Sequence, residues 1–508
     1  MIAGNRRSTG ADYVGSEPVG RGSGSIICLL VATLVLSVST AATRAQTERA
    51  AGTRNMTLEE SILIALEDSR SVQDARFALE VARKQVVEAR GLAMPTVAAS
   101  ANFTRSLTPL ESFLPAIIFD PTASPDDFIA VRFGADNNWF SSLTLDQTLF
   151  DYTVFIGLRV ASTFRELSEE ALRGTAQQAA TATRKAFYAA LLARESLRLT
   201  ENSVSRLRQT LEETTALQEA GLASDYDVLR LEVELANFEP RLRQASDALE
   251  AARRNLALVM GYDVDEPFDP AGSLMEIDIE TGEASTDASR SLLRVVGEPD
   301  AIALGFDRIL ERSLNDRTDL RQTRINLDLG RAQVQASRSN YYPTLAGFYS
   351  YSVTAQENGA PNFFGESSRN RTSLQQAGLR LQVPLFAGFQ KSSRVQQNML
   401  SVDRISTRLA QLREQTFSEV RTLLDALEET RQRTLAQARA VGQARTGFGI
   451  ATARYREGVS SRLEVVDAEN ALRQAEFNYA QAVFDYLNTQ ADLDLAIGSV
   501  PLVDDIEP

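Results

Sequence analysis

The sequence predicts an α+β protein in which pairs of amphipathic strands, long enough to cross a membrane, lead into very long helices. Three observations carry that prediction. One unit of structure is written twice along the 508 residues. Its strands alternate apolar and polar residues over about 11 positions, the length a tilted membrane strand needs. Its helices run without proline for far longer than a globular domain requires.

The N-terminus comes first. Arg6, Arg7 and Arg21 precede an apolar run from Ile26 to Val38, and small residues follow up to Thr43-Arg44-Ala45. Basic, apolar and small segments in that order read as a secretory signal over 1–45, cleaved after Ala45. The apolar run, about 13 residues, is shorter than the roughly 20 a membrane helix needs. Cys28 lies inside it, not after it, so no lipid anchor is expected, and the mature chain keeps no thiol. Strands that enter a membrane must then close into a barrel, because lipid offers unpaired backbone no partner.

Residues 57–95 match 305–343 at one constant offset, with Leu66 on Leu314, Asp68 on Asp316 and Pro95 on Pro343. SLTLDQTLFD at 142–151 pairs with GLRLQVPLFA at 378–387, and EAGLASDYDVLRLE at 219–232 with REGVSSRLEVVDAE at 456–469. Self-similarity over such a length defines a first repeat at 46–261 and a second at 305–498. Each has the order helix, strand, loop, strand, very long helix, tight turn, long helix.

Strands are expected near 96–107, 139–150, 344–355 and 374–386. In the first, Val97, Ala99, Ala101, Phe103, Arg105 and Leu107 alternate with Thr96, Ala98, Ser100, Asn102, Thr104 and Ser106, a mainly apolar face against a mainly polar one. The last alternates Ala377, Leu379, Leu381, Val383 and Leu385 with Gln376, Arg380 and Gln382. Two readings fit this pattern: hairpins with one face on a soluble core, or membrane strands with Trp139, Phe140, Tyr349 and Tyr351 in an interface belt. Four strands cannot close a barrel, since the smallest need about eight. A membrane reading therefore requires several chains to share one. The loop at 108–138 carries Pro109, Pro115, Pro121 and Pro125; that at 356–372 carries Asn358-Gly359, Pro361 and Gly365. Long irregular loops on one side suit the outside of such a barrel.

No proline lies between Pro125 and Pro240 or between Pro384 and Pro501. The stretches 151–219 and 388–457 would each form a helix roughly 100 Å long. Val228, Leu231, Leu235, Phe238 and Leu242 follow three-then-four steps, as do Val465, Ala468, Leu472, Ala475 and Tyr479. That spacing is a coiled-coil seam. Gly221 and Gly458 are expected to end the incoming helices as left-handed caps. Ser224 or Asp225, and Ser460 or Ser461, cap the outgoing ones. A kink is expected at Pro240. Segment 262–304, rich in proline, glycine and acids, reads as a linker with little regular structure, and 499–508 as a C-terminal tail.

With these parts in place the chain resembles the TolC family of outer-membrane efflux proteins over about residues 55–500. The carriers are the duplicated order and the helix–strand junctions Pro95-Thr96 and Pro343-Thr344. Leu385-Phe386-Ala387-Gly388 after Pro384, and the turns Glu219-Ala220-Gly221-Leu222 and Tyr455-Arg456-Glu457-Gly458-Val459, complete them. The resemblance implies a homotrimer whose twelve-stranded β-barrel, four strands per chain, continues as an α-helical tunnel of coiled-coil pairs across the periplasm. It implies a collar built from 262–304 and the tail, and a passive role in efflux or type I secretion beside a periplasmic adaptor and an inner-membrane pump. By it the adaptor meets Gly221, Leu222, Ala223 and Ser224 and Gly458, Val459, Ser460 and Ser461. It also implies an acidic entrance gate, here Glu464 and Asp467, with Asp227 and Arg230 in the first copy. The same acids also read as first-turn residues complementing a helix dipole.

Other function classes are weaker. The formal charge of −14 argues against nucleic acid, whose phosphates need clustered Lys and Arg. With no His in the chain and no Cys after export, the usual nucleophilic triads and His-ligated zinc sites are unavailable, and neither an enzyme nor a cofactor is expected. A periplasmic coiled-coil scaffold without a channel is the alternative; it explains the rods but leaves the strands without a purpose. The expected location is the outer membrane of a Gram-negative bacterium, reaching into the periplasm and touching outer-membrane lipid.

Overall fold

A computed structural model describes residues 54–500 apart from 109, 125, 265, 295–300, 362–370 and 458. The expected signal at 1–45, Gly365, Gly458 and residues 501–508 of the tail lie outside the described residues. In the first half, β1 (Arg54–Met56), α1 (Leu58–Asp68) and α2 (Arg70–Gly91) lead to β2 (Thr96–Arg105). Then come β3 (Leu110–Pro115), β4 (Phe128–Phe133), β5 (Asn137–Phe150), α3 (Tyr152–Glu219) and α4 (Asp225–Met260). The middle holds β6 (Phe268–Pro270), β7 (Ile277–Asp278), β8 (Glu283–Ala284), α5 (Asp287–Arg294) and α6 (Ala301–Leu304). The second half runs α7 (Phe306–Asp316), α8 (Thr318–Ser339), β9 (Thr344–Glu357), β10 (Arg371–Gln382), α9 (Gln390–Arg456) and α10 (Arg462–Ile497).

Helices of the two halves match in length: α3 and α9 have 68 and 67 residues, and α4 and α10 have 36 each. At about 1.5 Å per residue α3 and α9 are each roughly 100 Å long. α3 starts cleanly because the Asp151 carboxylate accepts from the Thr153 N–H at 2.8 Å, satisfying one otherwise orphaned donor. α4 runs through Pro240 as a single helix. No helix among the described residues is long and apolar enough to cross a membrane.

The sequence reads one helix where the structure has two. Ser69 and Arg317 are extended (ψ 129° and 126°) and break α1 from α2 and α7 from α8. Neither is a proline or glycine; the break is tertiary. The left-handed end of α4 at Gly261 (φ 75°) docks so closely that a Cβ there would lie 2.4 Å from the Asp68 carbonyl oxygen. At Gly498 (φ 80°), which ends α10, a Cβ would lie 2.8 Å from the Asp316 carbonyl. The helix-end carbonyls gain donors from the next helix: Arg76 Nη2 bonds the Leu66 oxygen at 2.9 Å, and Arg324 Nη2 that of Leu314 at 2.5 Å.

β10, β9, β5 and β2 form an antiparallel four-stranded sheet in that order. The register aligns Val97, Leu145, Tyr349 and Ala377 in one row and Ala99, Leu143, Tyr351 and Gln375 in the next. Both rows lie on one face. The opposite face carries Ala98, Thr144, Ser350 and Gln376, then Thr96, Asp146, Phe348 and Gly378. Side chains on the apolar face stay exposed, Val97 at 64% and Leu379 at 70%. Among the described residues the outer edges of β2 and β10 pair with nothing.

Three local differences from the sequence reading have physical causes. β10 stops at Gln382 instead of reaching 386, because Pro384 offers no N–H to a ladder. The expected loop at 108–138 contains a hairpin, β3 paired with β4. The 262–304 segment is not an irregular linker. Phe268, Leu274, Ile277 and Leu292 are buried in the main core with Met56, Leu58 and Ile62 from the start of the chain. Its backbone is held from the long helices: Arg194 donates to the Pro270 and Gly272 carbonyls, and the Tyr479 hydroxyl to the Ile277 oxygen at 2.6 Å. Glu276 accepts from the Thr286 and Ser289 hydroxyls at 2.6 and 2.7 Å, which holds its carboxyl below the usual range.

In the same core α3 meets α10 through Arg184 and Asp494, both wholly buried, with Nη1 and Oδ2 2.8 Å apart. Tyr188, one turn along α3, is also fully buried, and burial pushes its hydroxyl pKa up. A second, smaller core joins Ile309, Val420, Leu427, Leu493 and Ile497.

Candidate functional site at the paired helical turns and the open sheet

The two tight turns are built from the helix ends upward. At the first, Ala220 donates to the Ala216 carbonyl at 3.2 Å, and Leu222 to that of Leu217 at 2.7 Å. Gly221 takes φ 75°, as its expected cap role requires. The second turn repeats the pattern, Glu457 to Ala453 at 3.1 Å and Val459 to Arg454 at 2.9 Å. Gly458 itself is outside the described residues. Leu222 and Val459 stand 76% and 64% exposed. Ser460 is half-buried and Ala223 intermediate, so each turn offers one apolar side chain on a polar rim.

The outgoing helices start differently. Ser224 caps α4 in a reciprocal box: its hydroxyl accepts from the Asp227 N–H at 3.2 Å, and the Asp227 carboxylate accepts from the Ser224 N–H at 3.2 Å. The Ser224 hydroxyl also donates to that carboxylate at 2.6 Å. These bonds hold the Asp227 carboxyl below its ordinary range. Ser461 caps α10 by backbone geometry alone, without a side-chain bond. The acids differ in the same way. Glu464 lies 3.7 Å from Arg454, a half-exposed pair, and Asp467 is exposed. The Ser-x-x-Asp spacing that marks Asp227 as a capping residue was present in the sequence.

The turns lie side by side. A groove of 280 Å³ is lined from the first by Leu222, Ala223 and Asp227 and from the second by Tyr455, Leu463 and Val466. Above it the Arg206–Glu469 ion pair ties α3 to α10, and Arg241 and Arg473 lie 5.1 and 5.8 Å from the Phe238 ring centre. Glu464 and Asp467 do not line this groove. Of the three expected entrance acids, Asp227 faces the space between the turns, and the other two lie elsewhere on the tip.

At the far ends of the long helices the junction prolines do matching work. After α2, Ala93 and Met94 donate to Arg90 and Gly91 at 3.1 and 3.0 Å, and Pro95 then turns the chain into β2. After α8, Tyr341 and Tyr342 donate to Arg338 and Ser339 at 3.1 and 2.9 Å before Pro343 and β9. Pro384 opens the return into α9, where Gly388 (φ 57°) and Phe389 (φ 66°) are both left-handed. Phe389 is the non-glycine residue with positive φ among those described, and sequence reasoning had no signal for it. Lys391 steadies the junction by bonding the Asn340 carbonyl with its ammonium 5.5 Å from the Tyr341 ring centre.

The family model described as outer membrane efflux protein matches residues 62–262 and 309–499 of the chain. The alkaline protease secretion protein AprF of Pseudomonas aeruginosa is 24% identical over 436 residues, covering 86% of this chain and 83% of that protein. The outer membrane protein TolC of Salmonella enteritidis is 23% identical over 369 residues, covering 72% and 70%. Among solved structures, the CmeC outer membrane channel of Campylobacter jejuni superposes with a TM-score of 0.65 at 16% identity, over 89% of this chain and 90% of that one.

Proposed function

We propose that this chain, which belongs to the outer membrane efflux protein family, is one of three identical subunits of a passive exit duct through the outer membrane. The observation that carries the reading is the four-stranded sheet with an exposed apolar face and two edges that pair with nothing among the described residues. Such a sheet is stable in lipid only when its edges are paired and its polar face is turned from the hydrocarbon. Further copies meet both demands: β2 of one chain pairs with β10 of the next, and three chains of four strands close a twelve-stranded barrel. Val97, Leu143, Leu145 and Tyr349 then face lipid, while Asp146 and Arg380 line the lumen. The long helices continue that lumen as a tunnel across the periplasm.

The two halves, 46–261 and 305–498, are in this reading copies of one ancestral unit, after a signal at 1–45. Their closely matched helix lengths and the matched docking of Gly261 and Gly498 support the duplication. The 262–304 segment and the 499–508 tail form a collar at mid-height. The turns at Gly221–Ser224 and Gly458–Ser461, each with an exposed apolar side chain, are the contact for a periplasmic adaptor coupled to an inner-membrane pump. Efflux and type I secretion both use such a conduit. Glu464 and Asp467 are the entrance acids, and three copies of each around one axis favour cations and repel one another when the entrance narrows. Asp227 is assigned instead to the cap of α4, because its carboxylate is already held by Ser224.

The test is the native mass of the signal-cleaved protein extracted from outer-membrane fractions in mild detergent, followed by reconstitution in a planar bilayer. A trimer that conducts ions is expected. A monomer recovered from the soluble periplasmic fraction would favour the scaffold reading.

A further inference from the structure

The β3–β4 hairpin exposes apolar side chains on both of its faces. Its register places Leu110, Leu114, Ile129 and Phe133 on one face, and Phe113 and Phe128 on the other. Leu110 is 73% exposed, Phe113 69% and Phe128 61%, more apolar surface than a free-standing hairpin leaves to water without a partner. The base is anchored. Asp136 pairs with Arg132 of β4, and its carboxylate accepts from the Gly359 N–H at 3.1 Å. The Asp136 N–H donates to Asn358 Oδ1 at 3.0 Å, and Asn137 Nδ2 to the Gly359 carbonyl at 2.9 Å.

The fold selects the occupant. The Phe103 and Trp139 rings, 5.1 Å apart, sit at the ends of β2 and β5 from which the hairpin springs. An aromatic belt there marks the membrane interface, so the hairpin stands beyond the hydrocarbon. Residues 107–136 carry Glu111, Asp120, Asp126, Asp127 and Asp136 against the lone base Arg132, a poor match to lipid phosphates. The hairpin grows from β2, an edge strand, and so rises at the seam where the next copy pairs. In a ring of identical chains each element has one neighbour on either side and contacts them through two different faces. A hairpin apolar on both faces fits that position, whereas a single foreign partner would need only one face.

We infer that the three β3–β4 hairpins pack face to opposite face across the outer mouth and form an apolar constriction made by copies of this chain. The inference rests on the trimeric-barrel reading. Sheets pack about 10 Å apart, which sets three mutually touching hairpins roughly 6 Å from the threefold axis. A strand of six residues spans about 20 Å, enough to lean inward from the rim.

The mature chain has no cysteine, so introduced ones report cleanly. Ser112→Cys lies on one face and Ala130→Cys on the other, both exposed. The purified double variant in mild detergent is treated with a short bismaleimide and read by denaturing gel, with native mass taken before treatment. The expected result is a shift from monomer to covalent trimer in the double variant and none in either single variant. A native trimer whose cysteines take a monofunctional maleimide but do not cross-link overturns the inference and leaves the trimer reading standing. A native monomer defeats both. The pair Glu111→Cys and Val131→Cys, placed on the same two faces, repeats the test if the first variant fails to fold.

Discussion

Replacing Asp494 with Asn keeps the shape of the α3–α10 contact and removes the charge opposite Arg184. Both side chains are fully buried, with Nη1 and Oδ2 2.8 Å apart. At that separation the attraction is about 6 kcal/mol for an effective dielectric constant near 20, and the cost of desolvating both ions opposes it. What the variant loses is set by what it leaves behind. Arg184 Nε and Nη2 make no hydrogen bond to a carboxylate or carbonyl among the described residues, so a neutral Asn, though its oxygen can still accept from Nη1, leaves the buried guanidinium charge with only the neighbouring Tyr188 hydroxyl beside it. Breaking a buried pair in this way costs about 3–5 kcal/mol. Arg184→Met costs less, because Asp494 keeps the Gln490 amide at 3.3 Å. The double variant Arg184→Met/Asp494→Leu removes both charges and is expected within about 1 kcal/mol of the parent, or more stable. Denaturant unfolding in detergent, followed by far-ultraviolet circular dichroism as a double-mutant cycle, reads all three. An Asp494→Asn loss below about 1 kcal/mol, or a double variant worse than either single one, would refute the argument.

Gly261→Ala and Gly498→Ala should each lose about 1–2 kcal/mol from left-handed strain, and more from displacing the Asp68 or Asp316 carbonyl. Gly221→Ala carries only the strain, since nothing lies within 4 Å of its Cβ; an equal loss at all three would remove the docking explanation. The bonds from Ser224 depress the Asp227 carboxyl, so the cap contributes fully above the ordinary carboxylate range and is lost as pH falls through the lowered value. Amide exchange of the first turn of α4, corrected for intrinsic rates, should therefore rise on acidification in the parent and be already raised in Asp227→Asn. In planar bilayers Glu464→Gln/Asp467→Asn should reduce cation preference while Asp227→Asn leaves it unchanged; a matching drop in Asp227→Asn would return that residue to the entrance.

Much of the fold was legible because its signals are local and repeated. The alternation at Val97, Ala99 and Ala101 placed a strand face, and the positive-φ glycines at 221 and 261 ended helices where the heptad spacing stopped. The rest depended on contacts distant in sequence. The breaks at Ser69 and Arg317 lie where Gly261 and Gly498 dock, contacts distant in sequence, and the apolar spacing continues through both breaks. The segment after Met260 looks irregular by its prolines and glycines, yet Arg194 and Tyr479 hold its backbone from helices far along the chain. The β3–β4 hairpin escaped notice because both faces are apolar, which erases the alternation that marks a strand. For the candidate site, the turns were readable from glycine and serine spacing. The division of labour among the acids was only partly so. Ser224-x-x-Asp227 and Ser461-x-x-Glu464 carry the same capping spacing, yet only the first forms the side-chain cap, while Glu464 approaches Arg454 across the second turn.

The most direct test of the central claim is a low-resolution electron-microscopy image of the signal-cleaved protein in mild detergent. The account predicts a threefold cylinder longer than the roughly 100 Å of its helices, with a detergent belt at one end. A monomeric particle, or a rod without a belt, would contradict it.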